Sequence, residues 1–134
     1  MAFIERLLNQ GDTPLVEQAI RFSAAREKLI AENVSNVSTP DYVQKDLSLE
    51  KFQKLLSDRV DQRDHSAPDT VHFDDILGDV QNPSPNILFH DRNNRSIEQL
   101  MSDGAKNAIF HNMMIELLRQ QMTQIQNALR ERVS

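Results

Sequence analysis

Apolar positions along the chain fall into helical stripes separated by breaks. Phe3, Ile4, Leu7 and Leu8 make a short stripe, enough for one or two turns, which Gly11 ends. Thr13 then offers an oxygen-bearing cap, and Pro14 suits a first helical position. Beyond it Leu15, Val16, Ala19, Ile20, Phe22, Leu29, Ile30, Val34 and Val37 lie on one broad side of a helix. Glu17, Arg21, Arg26, Glu27 and Lys28 sit mostly elsewhere. The spacing predicts a helix over about 14–36. A shorter stripe, Leu49, Phe52, Leu55, Leu56 and Val60, predicts a second helix, capped by Ser48 and reaching about residue 61.

From residue 62 to 94 the pattern dissolves. Pro68, Pro83 and Pro85 fall here among clustered Asp and Asn, and apolar runs are brief, such as Ile87, Leu88 and Phe89. This reads as an irregular or disordered insert holding at most a short strand. Ser96 with Gln99 then forms a capping box. After it Met101, Gly104, Ala108, His111, Ile115, Leu118, Met122, Ile125 and Leu129 alternate by three and four residues. About four heptads argue for coiled-coil packing of a helix roughly 50 Å long. Its first half, with Gly104, Ala108 and His111, is thin and calls for a close neighbour.

The predicted fold is therefore all-α and elongated. Long N- and C-terminal amphipathic helices pair as a coiled-coil-like bundle around the middle insert, in three regions: 1–46, 47–95 and 96–134. Two paired helices leave apolar stripes half covered, which points to a subunit of an assembly.

Composition sharpens this. The chain has 134 residues, 39% of them apolar, with no Trp and one Tyr, which suits helix-to-helix seams better than a thick core. A net charge of −5 and the lack of basic clusters speak against a nucleic-acid partner. Without cysteine there is no disulfide or thiol chemistry. No apolar run approaches the roughly 20 residues that span a bilayer. The first residues carry an acid early and lack a long apolar core, so no cleaved secretory signal is expected.

Catalytic constellations are sparse. His65, His72, His90, Asp91 and Asp103 are the residue types of a helical histidine–aspartate metal phosphohydrolase. Three of those histidines lie in the proline-rich insert, a poor frame for metal ligands. His111 sits on the heptad seam and reads as a packing or partner-facing residue. There is no glycine-rich phosphate loop and no nucleophile elbow. The reading is no enzyme, no cofactor and no small-molecule substrate.

The junction at 29–46, LIAENVSNVSTPDYVQKD, is the one unusual stretch. Asn33, Ser35, Asn36, Ser38 and Thr39 compete with the helix for backbone hydrogen bonds. Pro40 forces Thr39 toward an extended conformation, and Tyr42 and Val43 supply a strand-like exit. On local physics this is a helix end and a loop. Yet the run from Ala31 to Asp46 closely resembles the A-N-N-I-A-N-x-x-T-P-G-Y-K-x-x-D signature of bacterial flagellar rod and hook proteins. Asn33, Val34, Asn36, Thr39, Pro40, Tyr42 and Asp46 carry the match, with Val34 for Ile. AIRFSAAREKLI before it, and the segment from Asn93 to Gln121, are similar to the terminal helices of the short, proximal-rod members of that family. Together these cover about half the chain. Asp41 departs from the signature, which has Gly there.

The resemblance implies a structural subunit of the proximal rod, exported to the periplasm without a cleaved signal peptide and transmitting motor torque. Its partners would be other rod subunits, copies of itself, and the MS-ring and export-gate side of the basal body. It implies an assembly turn made of Asn33, Asn36, Thr39, Pro40 and Tyr42. It also implies a helix seam, within or between subunits, in which Ile20, Leu29, Ile30 and Val34 meet Ile115, Leu118, Met122 and Ile125. The competing non-enzymatic reading is a generic helical adaptor for one partner helix.

Overall fold

The computed structural model describes residues 13–65, 78–79, 82–83, 88–90 and 95–133. The fold is mostly helical. Helix α1 spans Thr13–Ser35, α2 spans Leu49–Asp64, and α3 spans Ile97–Val133. Strand β1 is Lys45–Leu47, β2 is Gly78–Asp79, β3 is Asn82–Pro83 and β4 is Leu88–His90. Two of the three expected caps are made; Thr13 instead begins α1 itself and its hydroxyl donates to Gln121 Oε1 at 3.1 Å. Ser48 Oγ accepts the amide of Lys51 at 3.2 Å. The Ser96 hydroxyl accepts the Gln99 amide at 3.3 Å, while Gln99 Oε1 accepts the Ser96 amide at 3.1 Å.

α1 and α3 pack antiparallel in one continuous register. Thr13 meets Gln121, Ser23 meets His111, Glu27 meets Asn107, and Gly104 lies beneath Ile30. Each of these pairs of residue numbers sums to 134. α2 packs on α1, with the Phe22 and Phe52 rings stacked at 4.4 Å between centroids. The core joins Leu15, Val16, Ala19, Phe22 and Leu29 of α1 to Phe52, Leu56 and Val60 of α2 and to Met114 and Leu117 of α3.

The seam within the chain is not the predicted one. On α3 the buried positions are Leu100, Asn107, Met114, Leu117 and Gln121. Met122 and Ile125, expected in the seam, are 52% and 50% exposed, and Ile115 and Leu118 are only partly buried. Leu29 and Ile30 are buried and Ile20 and Val34 half-buried as expected, but the register sets Ile30 against Gly104, far from Ile115–Ile125. The heptad is real but turned by one position, to 100, 107, 114 and 121. Two of those four positions are Asn and Gln, so a stripe drawn through apolar residues alone passes them by. Asn107 is held by the Ser23 carbonyl at 2.8 Å and by Glu27 at 3.0 Å, which explains how an amide lies in the seam. Gln18 Oε1 and Gln121 Nε2 are buried without a hydrogen-bond partner. Gly104 is not required by this packing. A methyl group there would stand 3.5 Å from Ile30 Cγ2, an ordinary contact.

The predicted irregular insert is partly structured. α2 continues to Asp64, three residues past its expected end, and β2 pairs with β3. β4 returns antiparallel to β1, Lys45 opposite His90 and Leu47 opposite Leu88. The insert thus re-enters the body beside β1. The short stripe of Phe3, Ile4, Leu7 and Leu8, and His72 and Asp91, lie outside the described residues.

Candidate assembly surface

The junction stretch folds as a latch. α1 ends at Ser35, and the backbone reverses through linked turns, Thr39 N–H to Asn36 C=O at 3.0 Å and Tyr42 N–H to Thr39 C=O at 3.4 Å. The Glu32 carbonyl accepts both the Asn36 amide, at 3.1 Å, and Asn36 Nδ2, at 2.8 Å, and the Thr39 hydroxyl donates to Asn36 Oδ1 at 3.2 Å. Asp41 has φ of 60°, the left-handed region where Gly is strain-free and Asp is better tolerated than most residues. The Gly of the signature and the Asp of this chain therefore meet the same backbone demand.

Two buried side-chain amides then clip the returning chain. Asn33, 3% exposed, donates from Nδ2 to the Lys45 carbonyl at 2.7 Å and accepts the Lys45 amide on Oδ1 at 3.1 Å. It imitates one rung of a β-ladder from a helix. The Tyr42 hydroxyl donates to the same Oδ1 at 3.3 Å. Gln44 repeats the device on the start of α3, giving Nε2–H to the Arg95 carbonyl at 3.0 Å and accepting the Arg95 amide at 2.9 Å. Asp46 closes the set. Arg26 grips both of its oxygens, Nε at 3.0 Å and Nη2 at 3.2 Å, and the Leu47 amide donates to Oδ1 at 2.7 Å. Arg95 also pairs with Asp103 on the first turns of α3.

The latch leaves little room. A cleft of about 10 Å³, enough for roughly one water, is lined by Ile30, Asn33, Gln44, Asp46, Arg95 and Asp103 among others. The Tyr42 phenol is pushed up from its ordinary 10.0, first by burial and then by the carboxylate of Glu32. Among the described residues no group of three or more His or acidic side chains is arranged to hold a metal. His65 instead turns Nδ1 to the Asp61 carbonyl at 2.7 Å. His111 Nδ1 lies 2.6 Å from Ser23 Oγ, which also lies 2.8 Å from the Ile20 carbonyl.

Of the expected turn residues, Asn33, Asn36, Thr39 and Tyr42 spend their polar groups inside the chain, while Pro40 is exposed. Sequence reasoning missed Gln44, Arg26 and Arg95. Gln44 carried a faint signal, lying inside the matched run.

Outside the latch, the largest unspent feature is apolar. Met101, Ile109 and Met113 on the first half of α3 are at least half exposed, and Met122, Ile125, Leu129 and Val133 continue along the second half. A monomeric surface rarely carries so many large apolar side chains along one helix. None of the described helices is long and apolar enough to cross a membrane. Comparison of the chain with protein-family models, with curated proteins and with solved structures finds no match.

Proposed function

We propose that this chain is a structural assembly subunit of the bacterial flagellar rod. The observation that carries the reading is the exposed apolar length of α3, beyond what α1 and α2 cover. A rod subunit needs that surplus, because each copy must offer faces to neighbours in a helical tube that does not close on itself. The signature stretch supports it from the other side. Its Asn, Thr, Pro, Tyr and Asp build a latch that fixes where α1 ends and where the chain turns toward α3.

Within the rod, the sequences of the terminal helices resemble those of the proximal rod protein FlgB. On this reading the subunit stands in the periplasm near the MS ring and the export gate, contacts other rod proteins and copies of itself, and carries torque by packing rather than by chemistry. A helical adaptor for a single partner would share the exposed stripe, but it has no need of the latch sequence.

The test is a clean deletion in the source bacterium, with basal bodies viewed by electron microscopy. A membrane ring bare of rod, hook and filament is expected. Normal flagella, in a strain without a second copy, would overturn the proposal. Replacing Ile109 and Met113 by Asp, both exposed in the free chain, should leave the helical content intact while abolishing complementation.

A further inference from the structure

Four of the five methionines lie on α3, and the fold sorts them. Met114 is buried in the seam at 1% exposure, in one cluster with Leu117 and the core residues of α1 and α2. Met101, Met113 and Met122 are instead 64%, 50% and 52% exposed. At about 3.6 residues per turn, Met113 and Met122 stand half a turn apart around the helix axis, one on each flank of the seam. Met101 lies between them, on the side turned away from the seam. Each open side of α3 therefore carries a thioether beside its exposed Ile109, Ile125 or Leu129. With no cysteine in the chain, thioethers are the only sulfur that an oxidant can meet.

We propose that Met101, Met113 and Met122 form a reversible oxidation switch, which turns the exposed faces of α3 from apolar to polar while the fold stays closed. The oxidant is a peroxide. A sulfur lone pair attacks one peroxide oxygen, the O–O bond breaks, an S–O bond forms and water leaves. The sulfur gives up two electrons and the peroxide takes them. Susceptibility follows exposure, so Met114 is spared and the seam keeps its packing. Each sulfoxide replaces a flexible apolar side chain by a polar one, and the three positions leave no open side of α3 unaltered. An apolar partner then loses its seat, although the helix keeps its place on α1. A methionine sulfoxide reductase, drawing two electrons from a dithiol, removes the oxygen as water and restores the surface. Leucine at these positions would have much the same helix propensity and a similar volume, so it is the thioether, rather than apolar character, that supplies the response. This inference concerns the free chain and does not rest on the rod reading.

The test treats the full-length protein with hydrogen peroxide and follows sulfoxide at each methionine by peptide mass spectrometry. Met113 and Met114, adjacent in sequence and opposite in burial, give an internal comparison. Oxidation at least about ten-fold faster at Met101, Met113 and Met122 than at Met114 is expected. Helical circular dichroism should be unchanged, while binding of an apolar fluorescent dye falls at least about three-fold and returns after treatment with reductases for both sulfoxide epimers. The triple variant Met101→Leu, Met113→Leu, Met122→Leu should keep its dye binding through the same exposure to peroxide. Oxidation of Met114 at the rate of its neighbour, or loss of helix as the three exposed sulfurs react, would overturn the proposal. So would dye binding that survives oxidation of all three, fails to return on reduction, or falls equally in the leucine variant.

Discussion

Replacing Asn33 by Ala tests the latch at its centre. The substitution removes the donor to the Lys45 carbonyl at 2.7 Å, the acceptor of the Lys45 amide at 3.1 Å, and the acceptor of the Tyr42 hydroxyl at 3.3 Å. The two backbone groups of Lys45 are then left beside a cleft of about 10 Å³. An unpaired buried backbone group costs about 1–3 kcal/mol. The cleft allows one water to recover part of that loss, and the Tyr42 hydroxyl is near enough to solvent to rehydrate. The expected destabilisation is therefore about 2–4 kcal/mol, a large share of the roughly 5–15 kcal/mol that holds a small domain folded. Urea unfolding followed by circular dichroism at 222 nm reads it as a shift in midpoint at unchanged slope. Asn33→Asp refines the test. A carboxylate still accepts the Lys45 amide but faces the Lys45 carbonyl with no proton to give. Its protonated form can donate, so the folded state favours the proton and raises the pKa of residue 33. Stability relative to the parent is then greatest below about pH 4, the ordinary carboxyl range, and is lost as pH rises through the raised folded value. An Asn33→Ala variant within about 0.5 kcal/mol of the parent, an effect the size of an ordinary surface substitution, would refute the clip as a stabilising element. So would an Asp variant with no relative gain in acid.

Other outcomes follow from the same geometry. Phe52→Ala removes a fully buried ring stacked on Phe22 and should cost about 3–5 kcal/mol in the same urea assay. Asp41→Gly relieves a left-handed residue and is expected to be neutral or stabilising by up to about 1 kcal/mol, whereas Asp41→Val should destabilise by more than that. Gly104→Ala should stabilise the free chain by up to about 1 kcal/mol through helix propensity, since only an ordinary contact with Ile30 results; a variant that is stable but fails to complement would locate the need for Gly at a neighbouring subunit. The single tyrosine, in a chain without tryptophan, permits a clean ultraviolet titration. Its midpoint should lie above 10.0 in the folded protein and fall only part of the way in Glu32→Gln, because burial is the larger cause. The stability that the neutral phenol contributes is full below the ordinary value and is lost as pH climbs through the raised one.

The sequence by itself determined the elements and their ends. Thr13 and Pro14, the Ser48 cap and the Ser96–Gln99 box mark helix starts through groups within a few residues of each other, so local chemistry suffices to read them. The turn at Pro40 was legible for the same reason. Tertiary structure alone decided which face of α3 is buried. Two stripes run along that helix, one carried by Ile115, Leu118, Met122 and Ile125, the other by Leu100, Asn107, Met114 and Gln121. Hydrophobicity favours the first. The second is chosen because Ser23 and Glu27 stand opposite Asn107 and Thr13 opposite Gln121, making polar side chains acceptable in a seam. That complementarity joins residues eighty or more positions apart, as do the partners of His111. The grip of Gln44 on Arg95, fifty-one positions away, is of the same kind. A hydrogen bond between distant residues leaves no periodic trace in either, since each member alone looks like an ordinary polar side chain until the fold sets its partner across from it.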